Sequence, residues 1–136
     1  MDTYLKLYEE AVAARERSYA PYSGITVGAA LLTKDGGLYT GANIENASYT
    51  PTVCAERVAI FTAIHDGARE LDAIAIAGGK CGKESDEDFV PCGVCRQVMS
   101  EFGTSDMKVI TGDGKGGVIV RTLGDLLPHS FDRSKL

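Results

Sequence analysis

No apolar run in the sequence approaches the roughly 20 residues that a membrane-spanning helix needs, so no membrane partner is expected. There is no basic run either. The net charge is −5, and the densest charge cluster, KESDED from Lys83 to Asp88, is acidic. Nucleic-acid binders carry a basic stripe, so no nucleic-acid partner is expected, and the acidic cluster reads as a solvated loop. Histidine is scarce, with only His65 and His129. His65 falls near a helix C-terminus, where it suits the helix dipole better than a metal. The opening MDTYLKLYEE is acidic and amphipathic, unlike a signal or transit peptide, and a cytoplasmic location is the expectation. There are four cysteines, Cys54, Cys81, Cys92 and Cys95. In a reducing compartment they point to metal or redox chemistry and away from structural disulfides.

What remains is an ordinary globular composition, 44% hydrophobic and 24% charged over 136 residues. That length fits a single domain over residues 1–136 with a core that needs no disulfide. Tyr4, Leu7, Tyr8, Ala11 and Ala14 recur at helical spacing between about Thr3 and Ser18, and APYSG ends that helix. ITVGAALLT and LYTGANI read as strands joined by the hairpin signal KDGG. An apolar helix follows from about Cys54 to Asp66, stopped by Gly67. LDAIAIAGG suits a central strand, and an irregular loop runs from Lys80 to Val90. CGVCRQVMSEF reads as a helix, MKVIT and VIVRT as strands around DGKGG, and LGDLLP as a short closing helix. The order α-β-β-α-β-α-β-β-α predicts an α/β fold with one five-stranded mixed sheet covered on both faces.

The helix beginning TPTVCAERVAIF poses a chemical question. It is apolar on nearly every face beyond Val58, which predicts burial, yet it opens with Cys54, Glu56 and Arg57. Cys92 and Cys95 open the next long helix as PCGVC. Helix N-termini offer unpaired N–H groups and partial positive charge, which favour thiolates. If the two helices lie side by side, three thiolates converge, and zinc binds such a set with one position open for catalysis. A C-x-x-C pair alone also suits a redox dithiol or half of a structural zinc site, and Cys81 could close the site as a fourth ligand or stand aside. Glu56 separates these readings. A carboxylate on a buried helix needs a partner, and moving protons for a zinc-activated water would provide one. Arg57, donating to the sulfurs, would withdraw charge from the thiolates and offset their weakening of zinc as a Lewis acid. Arg96 also adjoins a ligand but reads as a solvated arginine.

CAE followed by PCGVC resembles the zinc-dependent cytidine deaminases, whose three-cysteine form and non-ligand glutamate are a known signature. The likeness spans almost the whole chain through YAPYSGITVGAALLTKDG, GANIENASYTPTVCAERVAIF, PCGVCRQVMSEF and LLPHSF. It is greatest to the small, homotetrameric members. The resemblance implies a three-layer α-β-α sandwich around the five-stranded sheet. It implies one Zn²⁺ per chain on Cys54, Cys92 and Cys95, with Glu56 as proton shuttle and Arg57 behind the ligands. Asn43 and Glu45 would hold the ribose hydroxyls, and the Ala55 N–H would bind the base carbonyl. Phe131 would reach a neighbouring subunit's site. The implied reaction is hydrolytic deamination of free cytidine and deoxycytidine, in pyrimidine salvage.

One position departs from the pattern. The small cytidine deaminases usually place phenylalanine two residues before the VGAAL valine, against the base, where this chain has Ile25. An aliphatic side chain covers a base without aromatic stacking geometry. That keeps open a modified or antibiotic nucleoside such as blasticidin S as a substrate, although NIEN argues for ribose. A non-catalytic zinc or redox module would leave Glu56, Asn43 and Glu45 without a task. A deaminase of RNA or DNA is disfavoured by the charge balance.

Overall fold

The computed structural model describes residues 2–136. α1 (Asp2–Ala14) ends in a 3-10 turn, Arg15–Arg17, and leads to the hairpin β1 (Ile25–Thr33) and β2 (Leu38–Ala42). α2 (Ala55–His65), β3 (Leu71–Lys80), α3 (Gly93–Phe102), β4 (Lys108–Gly112), β5 (Val118–Thr122) and α4 (Leu123–Leu126) follow. The strands form one sheet in the order β2-β1-β3-β4-β5. β3 and β4 pair in parallel and every other neighbour is antiparallel. A parallel pair needs a crossover, and α3 supplies it.

The three layers follow from alternation along the strands. Val27, Ala29, Leu31, Ile74, Ile76 and Val109 face one side, where they pack with α2 and α3 through Ala59, Ile60, Ala63, Cys95 and Met99. Ala30, Ala73, Ala75, Ala77 and Ile110 face the other side and take Leu7 and Ala11 of α1. Two glycines set how closely the helices approach. A Cβ on Gly28 would lie 2.0 Å from the Ala11 carbonyl oxygen, and one on Gly41 would lie 2.5 Å from that of Ala55. α1 and α2 therefore rest backbone against backbone on the sheet.

Three sequence expectations change. β2 ends at Ala42, two residues short of Ile44, because the Asn43 side chain turns back onto β1. α2 is not buried all round. Ala55, Glu56, Ala59, Ile60 and Ala63 are covered, while Phe61 is 50% exposed. The acidic loop is not merely solvated. Arg15 of the 3-10 turn donates to Lys80 O, Lys83 O and Ser85 Oγ. Asp88 receives Arg121 through both carboxylate oxygens, at 2.6 and 2.8 Å, and Thr111 Oγ1 at 2.7 Å. The Phe89 ring lies over Gly78, where a Cβ would meet it at 2.7 Å. These bonds tie the loop across the carboxyl ends of β3 and β4. No helix among the described residues is long and apolar enough to cross a membrane.

Candidate active site

The carboxyl ends of β2, β3 and β4 lie at one end of the sheet, since Ile25 at the start of β1 pairs with Lys80 at the end of β3. The chain enters both α2 and α3 from that end, so their N-termini meet there. Cys54 is the N-cap of α2 and Cys92 the N-cap of α3, each with extended backbone, and Cys95 stands one turn into α3. The three sulfurs lie within 4.8 Å of one another, and those of Cys54 and Cys92 are 3.7 Å apart. Zinc with tetrahedral sulfur ligands at about 2.3 Å places them about 3.8 Å apart. Cys95 is buried, Cys54 partly so, and Cys92 exposed, which leaves one side of the cluster accessible. Cys81 is exposed and outside the cluster, so it does not close the site.

The charges around these sulfurs fit a cation. The hydrogen bond from Cys95 holds the Cys54 thiol down to about 5, and Arg57 and Cys92 add to that effect. The same bond, with burial, pushes the Cys95 thiol up. A divalent metal binds such thiols as thiolates, in place of their protons. Arg57 Nη2 donates to Cys54 Sγ at 3.4 Å, while its buried Nε has no partner. The Nη2 bond to Cys54 is of the kind by which an outer partner tempers a thiolate metal ligand. The donor set therefore fits Zn²⁺.

Glu56 is 3% exposed in the first turn of α2. Burial pushes its carboxyl up to about 7, the Cys54 thiolate adds to the rise, and Arg57 opposes it. It is not among the clustered ligands. This is a carboxylate poised to exchange protons near neutrality.

The chain is similar to known proteins over most of its length. The family described as the cytidine and deoxycytidylate deaminase zinc-binding region matches residues 1–111. The chain belongs to this zinc-binding deaminase family. It is 48% identical to the cytidine deaminase of Halalkalibacterium halodurans over 92% of this chain and 91% of that one. The cytidine deaminase of Sporosarcina psychrophila is 45% identical, over 96% and 93%. The crystal structure of the Burkholderia pseudomallei cytidine deaminase superposes with a TM-score of 0.83 at 47% identity, covering 93% of this chain and 97% of that one.

The other expected deaminase residues gather unevenly around the sulfurs. Ile44 bridges Val53, so Asn43 stands opposite Cys54 and Glu45 opposite Thr52. Asn43 is buried and largely engaged. Its Oδ1 accepts from Val27 N and Ser18 Oγ, and its Nδ2 donates to Ile25 O, which leaves one amide hydrogen for a ligand. Glu45 accepts from the backbone N–H groups of Tyr22 and Ser23, at 2.9 and 3.1 Å, and from the Ser23 hydroxyl. The Ser23 bonds hold its carboxyl below the usual range, so it stays charged. It lines a cavity of ≈ 290 Å³ with Tyr22, Asn46, Tyr49 and Thr52. Ile25 packs against the same core cluster as Cys54 and Cys95. The Ala55 N–H belongs to the first turn of α2, where helices leave such groups unpaired. Phe131 is 62% exposed. A larger cavity, ≈ 930 Å³, lies by α1 on the opposite side of the sheet and holds none of these residues.

Sequence reasoning missed the contacts of two arginines, one tying down the loop before α3 and one within α3. Arg15 carries the loop contacts given above. Arg96, expected in solvent, donates to Pro91 O and Leu126 O, both at 2.8 Å. No local pattern marks either one, because Arg15 reaches Lys80, Lys83 and Ser85 and Arg96 reaches Leu126, all far away in the chain.

Proposed function

We propose that this chain is a cytidine deaminase that converts cytidine and deoxycytidine to uridine and deoxyuridine with release of ammonia, in pyrimidine salvage. The observation that carries the proposal is the convergence of three cysteine sulfurs at two helix N-termini beside the buried Glu56 carboxyl. Cys54, Cys92 and Cys95 hold one zinc ion per chain, and Glu56 is left free of it. Bound there, zinc supplies a Lewis acid that acidifies water. Glu56 accepts a proton from the water that attacks C4 and delivers protons to N3 and then to the departing amine. The C4–N bond breaks, ammonia leaves, and the water oxygen remains as the uracil carbonyl. The Ala55 N–H orients the base carbonyl. Glu45, with the remaining Asn43 amide hydrogen, takes ribose hydroxyls, and Ile25 covers the base. Arg57 draws charge from the Cys54 sulfur.

The enzyme works as a homotetramer in which Phe131 completes a neighbour's pocket. Supporting this are the exposed Phe131 ring and the half-exposed Phe61 on the outer face of α2. A cytoplasmic location suits a centre built from reduced thiols. The test is release of uridine and ammonia by the zinc-loaded protein, with deoxycytidine and blasticidin S as parallel substrates. Turnover of both pyrimidine nucleosides is expected. One zinc per chain with turnover of the antibiotic alone would replace the substrate and leave the site.

A further inference from the structure

The C-terminal segment is fastened to the metal-binding turn by two adjacent residues of α3. Arg96 follows the ligand Cys95 in sequence. Its Nε donates to Pro91 O at 2.8 Å, and that carbonyl belongs to the peptide joining Pro91 to the ligand Cys92. Its Nη1 donates to Leu126 O at 2.8 Å, at the last residue of α4. One planar guanidinium thus fixes two carbonyls in a set relation, which a flexible ammonium cannot do. Gln97 Nε2 donates to Phe131 O at 2.7 Å, a second fastening five residues further along. α4 is itself firmly seated. Thr122 and Asp125 form a reciprocal cap, Leu123 N donates to Met107 O, and Gly124 N donates to Ser105 O.

We propose that Arg96 is a positioning residue that makes the geometry of the Cys92–Cys95 turn depend on the seating of α4. Pro91 has no N–H of its own and a fixed φ, so its carbonyl is the one backbone group through which a hydrogen bond can hold this residue. With that carbonyl held by the first turns of α3, the Cys92 sulfur is directed toward Cys54 across the gap between the two helices. Arg96 touches neither substrate nor metal. It acts through the Pro91–Cys92 peptide, and the capped α4 acts through Arg96. The inference rests on the zinc reading of the three cysteines.

The experiment uses full-length protein as wild type, Arg96→Lys, Thr122→Val and the double variant, each loaded with zinc or cobalt. The rate of zinc loss to excess chelator is measured well below each melting temperature. The thiolate-to-cobalt absorption is recorded beside it. Arg96→Lys is expected to release zinc roughly tenfold faster, the lower end of what outer partners of metal ligands contribute, and to shift the cobalt bands. Thr122→Val, remote from the metal, is expected to speed release in the wild-type background and to add nothing in the Arg96→Lys background, as residues acting through one link do. A lower melting temperature with unchanged release and unchanged bands would make Arg96 an ordinary brace and overturn the proposal. Additive effects would overturn the coupling to α4. Wild type without thiolate–cobalt absorption would overturn the metal reading itself, and that failure is visible before any variant is compared.

Discussion

A carboxylate that is 3% exposed has few ways to stay charged. Glu56 has a thiolate neighbour that opposes ionisation and an arginine that favours it, and burial, the largest cause, joins the thiolate in lifting its carboxyl to about 7. Its environment suits a group that must hold and release a proton within one cycle. Glu56→Gln keeps the shape and removes the proton exchange. Turnover is expected to fall by at least about 10²-fold with zinc content unchanged, checked by metal analysis beside the uridine assay. Arg57→Ala tests a different term. It should keep its zinc and slow turnover about tenfold or more, and equal rates would remove Arg57 from the chemistry. The types of these residues were legible at the helix start, since thiol, carboxylate and guanidinium together on a helix that reads as buried suggest a shared task. Their distances were not legible, because Cys54 and Cys92 are 38 residues apart and meet only through the sheet.

Two short elements decide whether the helices arrive correctly. β2 meets α2 at Gly41, where a Cβ would sit 2.5 Å from Ala55 O and 2.6 Å from Ala59 N. Both are backbone atoms that cannot turn aside, so Gly41→Ala must push the ligand-bearing end of α2 outward. A stability loss of about 1–3 kcal/mol is expected, with a larger fractional loss of activity than of folded protein, measured by melting and turnover on the same samples. The loop before α3 is held by Asp88. Arg121, then Thr111, holds its carboxyl below the usual range. A lowered folded-state value means that the ionised carboxylate adds stability above the unfolded value of about 3.9, and that this is lost as pH falls through the folded one. Both side chains are about a third exposed, 31% for Arg121 and 32% for Asp88. The pair is therefore worth no more than about 1 kcal/mol. Asp88→Asn should melt below wild type at pH 7, with the difference closing below about pH 4. A constant difference would mean that the charge is idle. KESDED reads as solvent-facing because acidic runs usually are. What the sequence could not reveal is that Arg121 stands across from its last residue.

At the scale of the whole molecule, one chain leaves its apolar surface unevenly covered. Phe61 on α2 and Phe131 near the C-terminus are open, at 50% and 62%. The proposed assembly covers them and brings Phe131 to another chain's nucleoside. Phe131→Ala is expected to raise KM several-fold, with kcat and the zinc content close to wild type. The loss of one buried aromatic contact, about 1–2 kcal/mol, is of that order. Sedimentation of wild type as a monomer would remove the shared pocket and leave the metal centre intact.

The residues by themselves determined the order of helices and strands, because apolar spacing and turn signals are local. They also determined the kind of chemistry, because thiols, a carboxylate and an arginine at two helix starts admit few tasks. The tertiary structure alone decided which partners those groups have. It closed β2 two residues early through the Asn43 amide, turned a solvated acidic loop into a strap held by Arg15 and Arg121, and brought Arg96 onto Pro91 and Leu126. Apart from the Arg96–Pro91 bond, each of these rests on a hydrogen bond between groups far apart in the chain. Such bonds depend on distance and direction in space, and neither is written in the spacing of residues along a sequence.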